Sequence, residues 1–460
     1  MTETVKIISP VDGRVYAERP VASGAEIEAA VAKARAARQS WGEITVRERA
    51  RYLDHFLDAL LSKNDEIVPE LAWQMGRPVR YGGERRGVEE RSRHMIDIAE
   101  ASLAPAERPD KPGFRRWIAR EPLGTVMVIA PWNYPFLTAV NSIVPGLMAG
   151  NAILLKHASQ TLLVGERFAE AFRAAGLPDG LFQNLVLNHA DTEKLIGSGH
   201  IDHINFTGSV EGGRRIERAA AGTFATLGLE LGGKDPAYVR ADADLGNAVE
   251  NLVDGSFFNS GQSCCGVERI YVHADRYDEF VAGFAETAKG WTLGNPLDAD
   301  SVVGPMAAPK FADLVREQTA EARRKGARAL LGTKHELDRP GSPYLAPEVL
   351  VDVNHQMAVM REESFGPVVG IMKVADDDEA VALMNDSPYG LTASIWSADL
   401  DTVARLGARI ETGTLFANRC DYLDPALVWT GVKDTGKGGA LSEIGYHNLT
   451  QPKSYHLKIV

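Results

Sequence analysis

Cysteine is scarce in this chain: three occur in 460 residues, and two of them, Cys264 and Cys265, are neighbours. Adjacent cysteines do not readily close an unstrained disulfide on each other, so a disulfide framework is excluded and a reducing compartment fits. Long apolar runs are missing too. No stretch approaches the roughly 20 apolar residues that span a bilayer, and Met1 to Pro10 lacks a basic segment followed by an apolar core. A cytoplasmic protein without a membrane partner is predicted. Positive charge is short, with 50 Lys and Arg against 62 Asp and Glu, and the net charge of -12 disfavours nucleic-acid phosphates. Small molecules are the expected partners. The histidines form no H-E-x-x-H motif, and His200 with His203 is the only suggestive pair, so no metal is implied. There is no internal repeat.

What the chain has is length and alternation. It exceeds what one hydrophobic core usually serves, so two or three domains are expected. Ala25 to Trp41 and Val46 to Leu61 carry apolar residues at helical spacing. From Thr125 onward, apolar runs rich in Val and Ile (125–130, 152–155, 203–206) alternate with helical stretches such as 164–175, the pattern of parallel strands in a doubly wound sheet. A second alternation follows Gly233: strand 237–239, helix 245–258, strand 270–272, helix 311–325 and strand 368–374. The fold class is therefore α/β, with two such domains in sequence. Between Ala104 and Glu121 a Pro- and Arg-rich stretch reads as an extended arm or hairpin, and 454–460 alternates like an edge strand.

Several short segments carry chemical potential. Cys264 follows the glycine-containing turn Phe258-Asn259-Ser260-Gly261-Gln262-Ser263, where a thiol can be exposed enough to act as a thiolate nucleophile; free cysteine also serves as a small buried hydrophobe. Glu230, before Gly232-Gly233, becomes a general base if burial raises its pKa, or else pairs with a lysine such as Lys234. Asn133, after the strand 125–130, offers an amide to a developing oxyanion or caps a proline-bounded turn. Ile204 to Gly213 reads as strand, tight turn and helix start, with Gly208 and Ser209 placed for a pyrophosphate or for a plain connection. Lys156 could contact ribose or phosphate, although a lysine ending a strand is more often solvated surface, and Glu363 could accept two ribose hydroxyls or else belongs to an acidic helix start.

Taken together, Pro131-Trp132-Asn133-Tyr134-Pro135, Lys156, Phe206-Thr207-Gly208-Ser209, Glu230-Leu231-Gly232-Gly233-Lys234, Gly261-Gln262-Ser263-Cys264 and Glu363-Ser364-Phe365-Gly366-Pro367 resemble the aldehyde dehydrogenase superfamily in order and approximate spacing. The resemblance runs from Pro10-Val11-Asp12-Gly13 to Gly438. It implies a Rossmann-like cofactor domain (1–105 and 121–228), a catalytic domain (229–443), and a small β oligomerisation arm (106–120 and 444–460) that makes a homodimer or homotetramer. It implies NAD(P)-dependent oxidation of an aldehyde to the acid through a thiohemiacetal and a thioester. In that scheme Cys264 attacks, Asn133 and the Cys264 N–H hold the oxyanion, Glu230 activates water, and Glu443 matches a position tied to proton relay. Trp132, Lys156, Ser159, Gly208, Ser209, Leu231, Glu363 and Phe365 would contact the cofactor.

Two departures bear on specificity. After Lys156 the chain has His157-Ala158-Ser159, so Ser159 replaces the glutamate that usually grips the adenosine ribose. That loss removes repulsion against a 2′-phosphate and leans the choice toward NADP, with NAD close behind. Near the carboxyl terminus, Trp429-Thr430-Gly431 and Gly439-Ala440 replace the family's common residues. Around the aldehyde, Tyr134, Thr138, Asn141, Phe258, Ser263, Cys265 and the loop 419–424 are expected, a polar set suited to a small polar aldehyde. Arg419 is a candidate for the far carboxylate of a semialdehyde, if it faces the pocket rather than solvent. The rivals are a CoA-acylating dehydrogenase, against which Glu230 argues, and a non-catalytic protein retaining the fold.

Overall fold

Apolar alternation from residue 125 onward folds into two largely parallel sheets in the computed structural model, which describes residues 3–332 and 335–460. Met1 and Thr2, at the head of the stretch Met1 to Pro10 read above, lie outside the described residues. The first sheet runs Gly436–Lys437, Thr226–Glu230, His203–Thr207, Thr125–Ile129, Ala152–Lys156, Phe182–Asn184 across its width. Its five main strands are parallel, and Gly436–Lys437 pairs antiparallel at the edge. Thr125–Ile129 and Ala152–Lys156 are buried at every position, as strands covered by helices on both faces must be. The chain enters at Thr125–Ile129, winds outward through 152–156 and 182–184, then returns to the opposite side with 203–207 and 226–230. This reversal opens a crevice at the carboxyl ends of the strands, where ligands of such sheets bind.

The helical preface forms as Gly24–Glu43 and Val46–Leu61, each begun by a capping box, Ser23 with Glu26 and Thr45 with Glu48. Two further helices, Asn64–Met75 and Arg85–Leu103, carry weaker sequence signals and complete this layer.

The second sheet has the order Arg328–Ala329, Glu348–Val351, Val368–Val374, Val267–His273, Asp235–Val239, Thr392–Trp396, Thr414–Ala417. Only its first strand is antiparallel. Helix Leu245–Phe257 delivers the chain to the turn before Cys264. The break drawn from sequence at 228/229 falls inside the strand Thr226–Glu230, and Gly436–Lys437 returns to that same sheet. In a separate three-stranded sheet, Thr450–Lys458 pairs antiparallel with Phe114–Pro122, flanked by Ala106–Glu107, and Trp117 stacks on Tyr455 at 4.5 Å. Among the described residues no helix is long and apolar enough to cross a membrane.

Candidate active site

The thiol is placed by a turn that resists relaxation. After helix Leu245–Phe257 the backbone takes three consecutive left-handed residues, Asn259 (φ 54), Ser260 (φ 58) and Gly261 (φ 69). A Cβ on Gly261 would lie 2.3 Å from the Gly366 carbonyl, so glycine is required where this turn meets the loop that carries Glu363 and Phe365. Asn259 accepts its left-handed backbone because its side chain is fully used: Nδ2 donates to the carbonyls of Asn133 (3.1 Å) and Gln262 (3.3 Å), and Oδ1 accepts from Arg77 Nε (3.1 Å). Cys264 follows, half-buried and free.

Asn133 leaves the end of strand Thr125–Ile129 and is buried. Its Nδ2 donates to the Gln262 carbonyl at 3.1 Å, which spends one of two amide hydrogens and leaves the other for a ligand. The Cys264 backbone N–H likewise makes no hydrogen bond to a described residue. One amide hydrogen of Asn133, held on the Gln262 carbonyl, and the Cys264 N–H are therefore both free, the donor types an oxyanion needs. Arg77, which showed no motif, anchors this corner: Nη2 donates to the Asn133 carbonyl (2.6 Å), and Nη1 pairs with Glu84 (2.5 Å) in a buried ion pair. The other Glu84 oxygen caps helix Pro135–Met148 by accepting from the N–H groups of Phe136 (3.0 Å) and Leu137 (2.7 Å).

Glu230 ends the strand Thr226–Glu230 and lines the same cavity as Cys264. Burial pushes its carboxyl up to about 7, against the opposing pull of the Arg91 charge and the Thr207 hydroxyl. The alternative partner is otherwise engaged: Lys234 is ion-paired with Glu268 and donates to Ser364 Oγ at 3.0 Å. Gly233 brings the loop after Glu230 against the nucleophile's backbone, since a Cβ there would sit 2.2 Å from the Cys264 carbonyl oxygen.

The other sequence candidates distribute along the crevice. Lys156 is buried at the end of its strand, its ammonium without a hydrogen bond to a described residue, and burial lowers its pKa to about 8. Ser209 caps helix Val210–Ala220, accepting from the Gly212 N–H at 3.1 Å, and Gly208 donates to the Glu230 carbonyl. Glu363 accepts from the Gly233 N–H at 3.0 Å, and burial raises it to about 7. Phe365 meets Trp132 edge-on at 5.5 Å, and Trp132 stacks on Phe311. Ser159 is exposed, on the wall of a separate cavity of about 790 Å³ shared with Trp132. Leu231 is different: its side chain is buried beneath Gly213, so only its backbone faces the crevice, with its N–H donating to the Thr435 carbonyl.

Around the thiol, Tyr134, Thr138, Asn141, Phe258, Cys265 and Arg419 line a cavity of about 500 Å³ together with Cys264 and Glu230. Ser263 is buried behind it and donates to Asp421 (3.3 Å), which also accepts from Cys265 Sγ (2.8 Å). One sequence candidate is not brought together with the rest, and another sits at the cavity's edge. Glu443 is exposed on helix Ser442–Asn448 and does not line this cavity. Arg419 reaches the rim but is exposed, its guanidinium 3.9 Å over the Tyr422 ring. Sequence reading missed Arg91, a buried arginine in the same cavity. Its signal was an arginine on the apolar face of an amphipathic helix, among Val88, Met95 and Ile96. Among the described residues no group of three or more His, Cys, Asp and Glu could hold a metal.

The sequence model described as the Aldehyde dehydrogenase family matches residues 1–455. The chain belongs to the aldehyde dehydrogenase family. It is similar to an NADP(+) succinate-semialdehyde dehydrogenase of Deinococcus radiodurans, 33% identical over 97% of this chain and 93% of that one. It is similar also to an aldehyde dehydrogenase of Paenarthrobacter nicotinovorans, 35% identical over 98% and 99%. Among solved structures, the NADP-dependent glyceraldehyde-3-phosphate dehydrogenase of Bacillus halodurans complexed with NADP superposes with a TM-score of 0.93 at 32% identity, covering 100% of this chain and 96% of that one. Aldehyde dehydrogenase membership accounts for the doubly wound, Rossmann-like architecture and makes the protein an enzyme.

Proposed function

We propose that this aldehyde dehydrogenase oxidises a small, polar aldehyde, of the semialdehyde class, to its carboxylic acid with NADP as the preferred cofactor. The observation that carries the chemistry is a thiol and a carboxyl raised to about 7 on one cavity, with the Asn133 amide held on the Gln262 carbonyl two residues before that thiol. The Cys264 thiolate forms a C–S bond to the aldehyde carbon, and the carbonyl π electrons move to oxygen. Asn133 Nδ2 and the Cys264 N–H hold that oxyanion. As the carbonyl reforms, hydride leaves the tetrahedral carbon and a thioester remains on Cys264; a nicotinamide held in the crevice would supply the hydride acceptor. Glu230 takes a proton from water, the hydroxide attacks the thioester, and the thiolate leaves with the acid as product. A base of pKa about 7 favours hydrolysis over acyl transfer to CoA.

The residues present suit a dinucleotide. Lys156 is a buried ammonium without a protein partner, and Glu363 offers a carboxylate across the crevice. The N-terminus of helix Val210–Ala220, opened by Gly208 and Ser209, suits a pyrophosphate. Trp132 and Phe365, in edge-on contact, and the Leu231 backbone would border the bound nicotinamide. The preference for NADP rests on Ser159 in place of a carboxylate and on the NADP-dependent relatives. The semialdehyde reading rests on the succinate-semialdehyde dehydrogenases among those relatives.

The domain division follows the same reading: the first sheet serves the cofactor, the second carries the nucleophile, and the three-stranded sheet is the surface through which copies assemble. Its support is the largely exposed nine-residue strand Thr450–Lys458. The deciding experiment is a panel of aldehydes assayed separately with NAD and NADP, with and without CoA. The proposal expects NADPH formation with succinate semialdehyde, independent of CoA, and none in Cys264→Ala; CoA-dependent turnover would reassign the acyl acceptor.

A further inference from the structure

Helix Arg85–Leu103 packs against helix Pro135–Met148 closely where Gly87 meets Leu137: a Cβ on Gly87 would lie 2.6 Å from Leu137 Cδ2. One turn further along each helix, the same faces present Arg91 and Asn141. Contact at Gly87 thus drives a guanidinium into the cavity that holds Cys264 and Glu230. Arg91 is only 9% exposed, yet no carboxylate among the described residues lies within 4.0 Å of it. Its Nη1 donates to the Leu137 carbonyl at 3.2 Å and approaches Asn141 Oδ1 at 3.5 Å, while Nε and Nη2 make no hydrogen bond to a described residue. A buried charge without a counter-ion is costly, and folds rarely keep one unless a ligand completes it.

The other charges of the cavity are already engaged or lie toward solvent. Tyr422 Oη donates to Glu90 at 2.7 Å. Asp421 accepts from Cys265 and Ser263, and burial raises its carboxyl toward the neutral form. Asp254 is pushed up to about 6 by burial and by Asp421. Arg86 is exposed, and Arg419 is stacked on Tyr422. Glu230 is the base. What is left free inside is one guanidinium fork.

We infer that Arg91 is the specificity-determining residue of this enzyme, binding the far carboxylate of a semialdehyde through the free edge of its guanidinium while Cys264 attacks the carbonyl. A planar carboxylate matches that edge with two parallel bonds, and one positive charge balances a monoanion better than a phosphate dianion. The inference rests on reading the Cys264 cavity as the aldehyde site, and it moves the anchor from Arg419, the candidate in the loop 419–424, onto helix Arg85–Leu103.

The test is the selectivity ratio: kcat/KM for succinate semialdehyde divided by kcat/KM for butanal, which has the same carbon count without the charge. In Arg91→Gln that ratio is expected to fall about 100-fold, the loss carried by KM for succinate semialdehyde, because charge-assisted hydrogen bonds are being removed. Arg91→Lys restores part of it, whereas Arg419→Gln leaves it within about threefold. A ratio unchanged in Arg91→Gln, with the wild type still preferring succinate semialdehyde, overturns the role of Arg91 and leaves the semialdehyde reading standing. A wild type with no preference over butanal, or one that prefers glyceraldehyde 3-phosphate, overturns both. As a check independent of folding in the variant, succinate should slow alkylation of wild-type Cys264 by iodoacetamide where butanol does not; no protection counts against the anchor.

Discussion

Replacing Glu230 by Gln, combined with the pH dependence of the wild type, tests the base most sharply. Burial holds this carboxyl at about 7, compared with an ordinary 4.5. A group with pKa 7 is about one-tenth ionised at pH 6 and about nine-tenths at pH 8, so hydrolysis of the thioester should rise roughly tenfold across that interval. A carboxylate of ordinary pKa would be fully ionised throughout and give a flat profile. The two half-reactions separate in stopped flow: the burst of NADPH reports attack and hydride loss, and the steady state that follows reports hydrolysis where that step limits. In Glu230→Gln the burst should survive while the steady-state rate drops by about 10²- to 10⁴-fold, the usual worth of a general base. The same shift has a stability consequence. A folded pKa above the unfolded one gives stability below the unfolded pKa that is lost as pH rises through 7, so Glu230→Gln should be more stable than wild type at pH 8, by about 3 kcal/mol, and closer to it at pH 4. A flat hydrolysis rate between pH 6 and 8, or a variant that turns over like the wild type, refutes the assignment.

Further outcomes follow from the same geometry. Asn133→Ala should lower kcat by about 10²- to 10³-fold with little change in cofactor binding by fluorescence titration, since it removes an oxyanion donor. Arg77→Ala strands Glu84 without its buried partner and releases the Asn133 carbonyl; denaturant unfolding should show a loss of about 3 to 5 kcal/mol. Because the Arg91 charge pulls the Glu230 carboxyl down, Arg91→Gln should move the acidic limb of the hydrolysis profile to higher pH, readable with butanal as substrate. Ser159→Glu restores an anion facing the adenosine ribose and should weaken NADP by tenfold or more in equilibrium titration while sparing NAD; equal weakening of both would place Ser159 elsewhere.

The strands were legible because parallel strands buried on both faces must be apolar throughout, as in Thr125–Ile129 and Ala152–Lys156. Cys264, Glu230 and Asn133 were legible because each is held by local glycine- or proline-bounded turns that leave a pattern in the chain. The anchor in the cavity was not. Arg91 and Asn141 are 50 residues apart, and nothing local says that Gly87 will let their helices approach so closely. Arg419 lines the cavity yet stays exposed because Tyr422, three residues on, offers its ring as a stacking platform. Glu443 sits near the helix start that follows left-handed Leu441 and Ser442, and that turn leaves it facing solvent. The contact of Gly436–Lys437 with Thr226–Glu230 joins segments some 200 residues apart, so a boundary drawn along the chain could not see it.

The central claim is that one sulfur carries the acyl group. Glu230→Gln incubated with succinate semialdehyde and NADP, quenched in acid and mapped by peptide mass spectrometry, should bear a single acyl adduct on Cys264 and none on Cys265. An adduct on Cys265, or NADPH production with no adduct on either, contradicts the account.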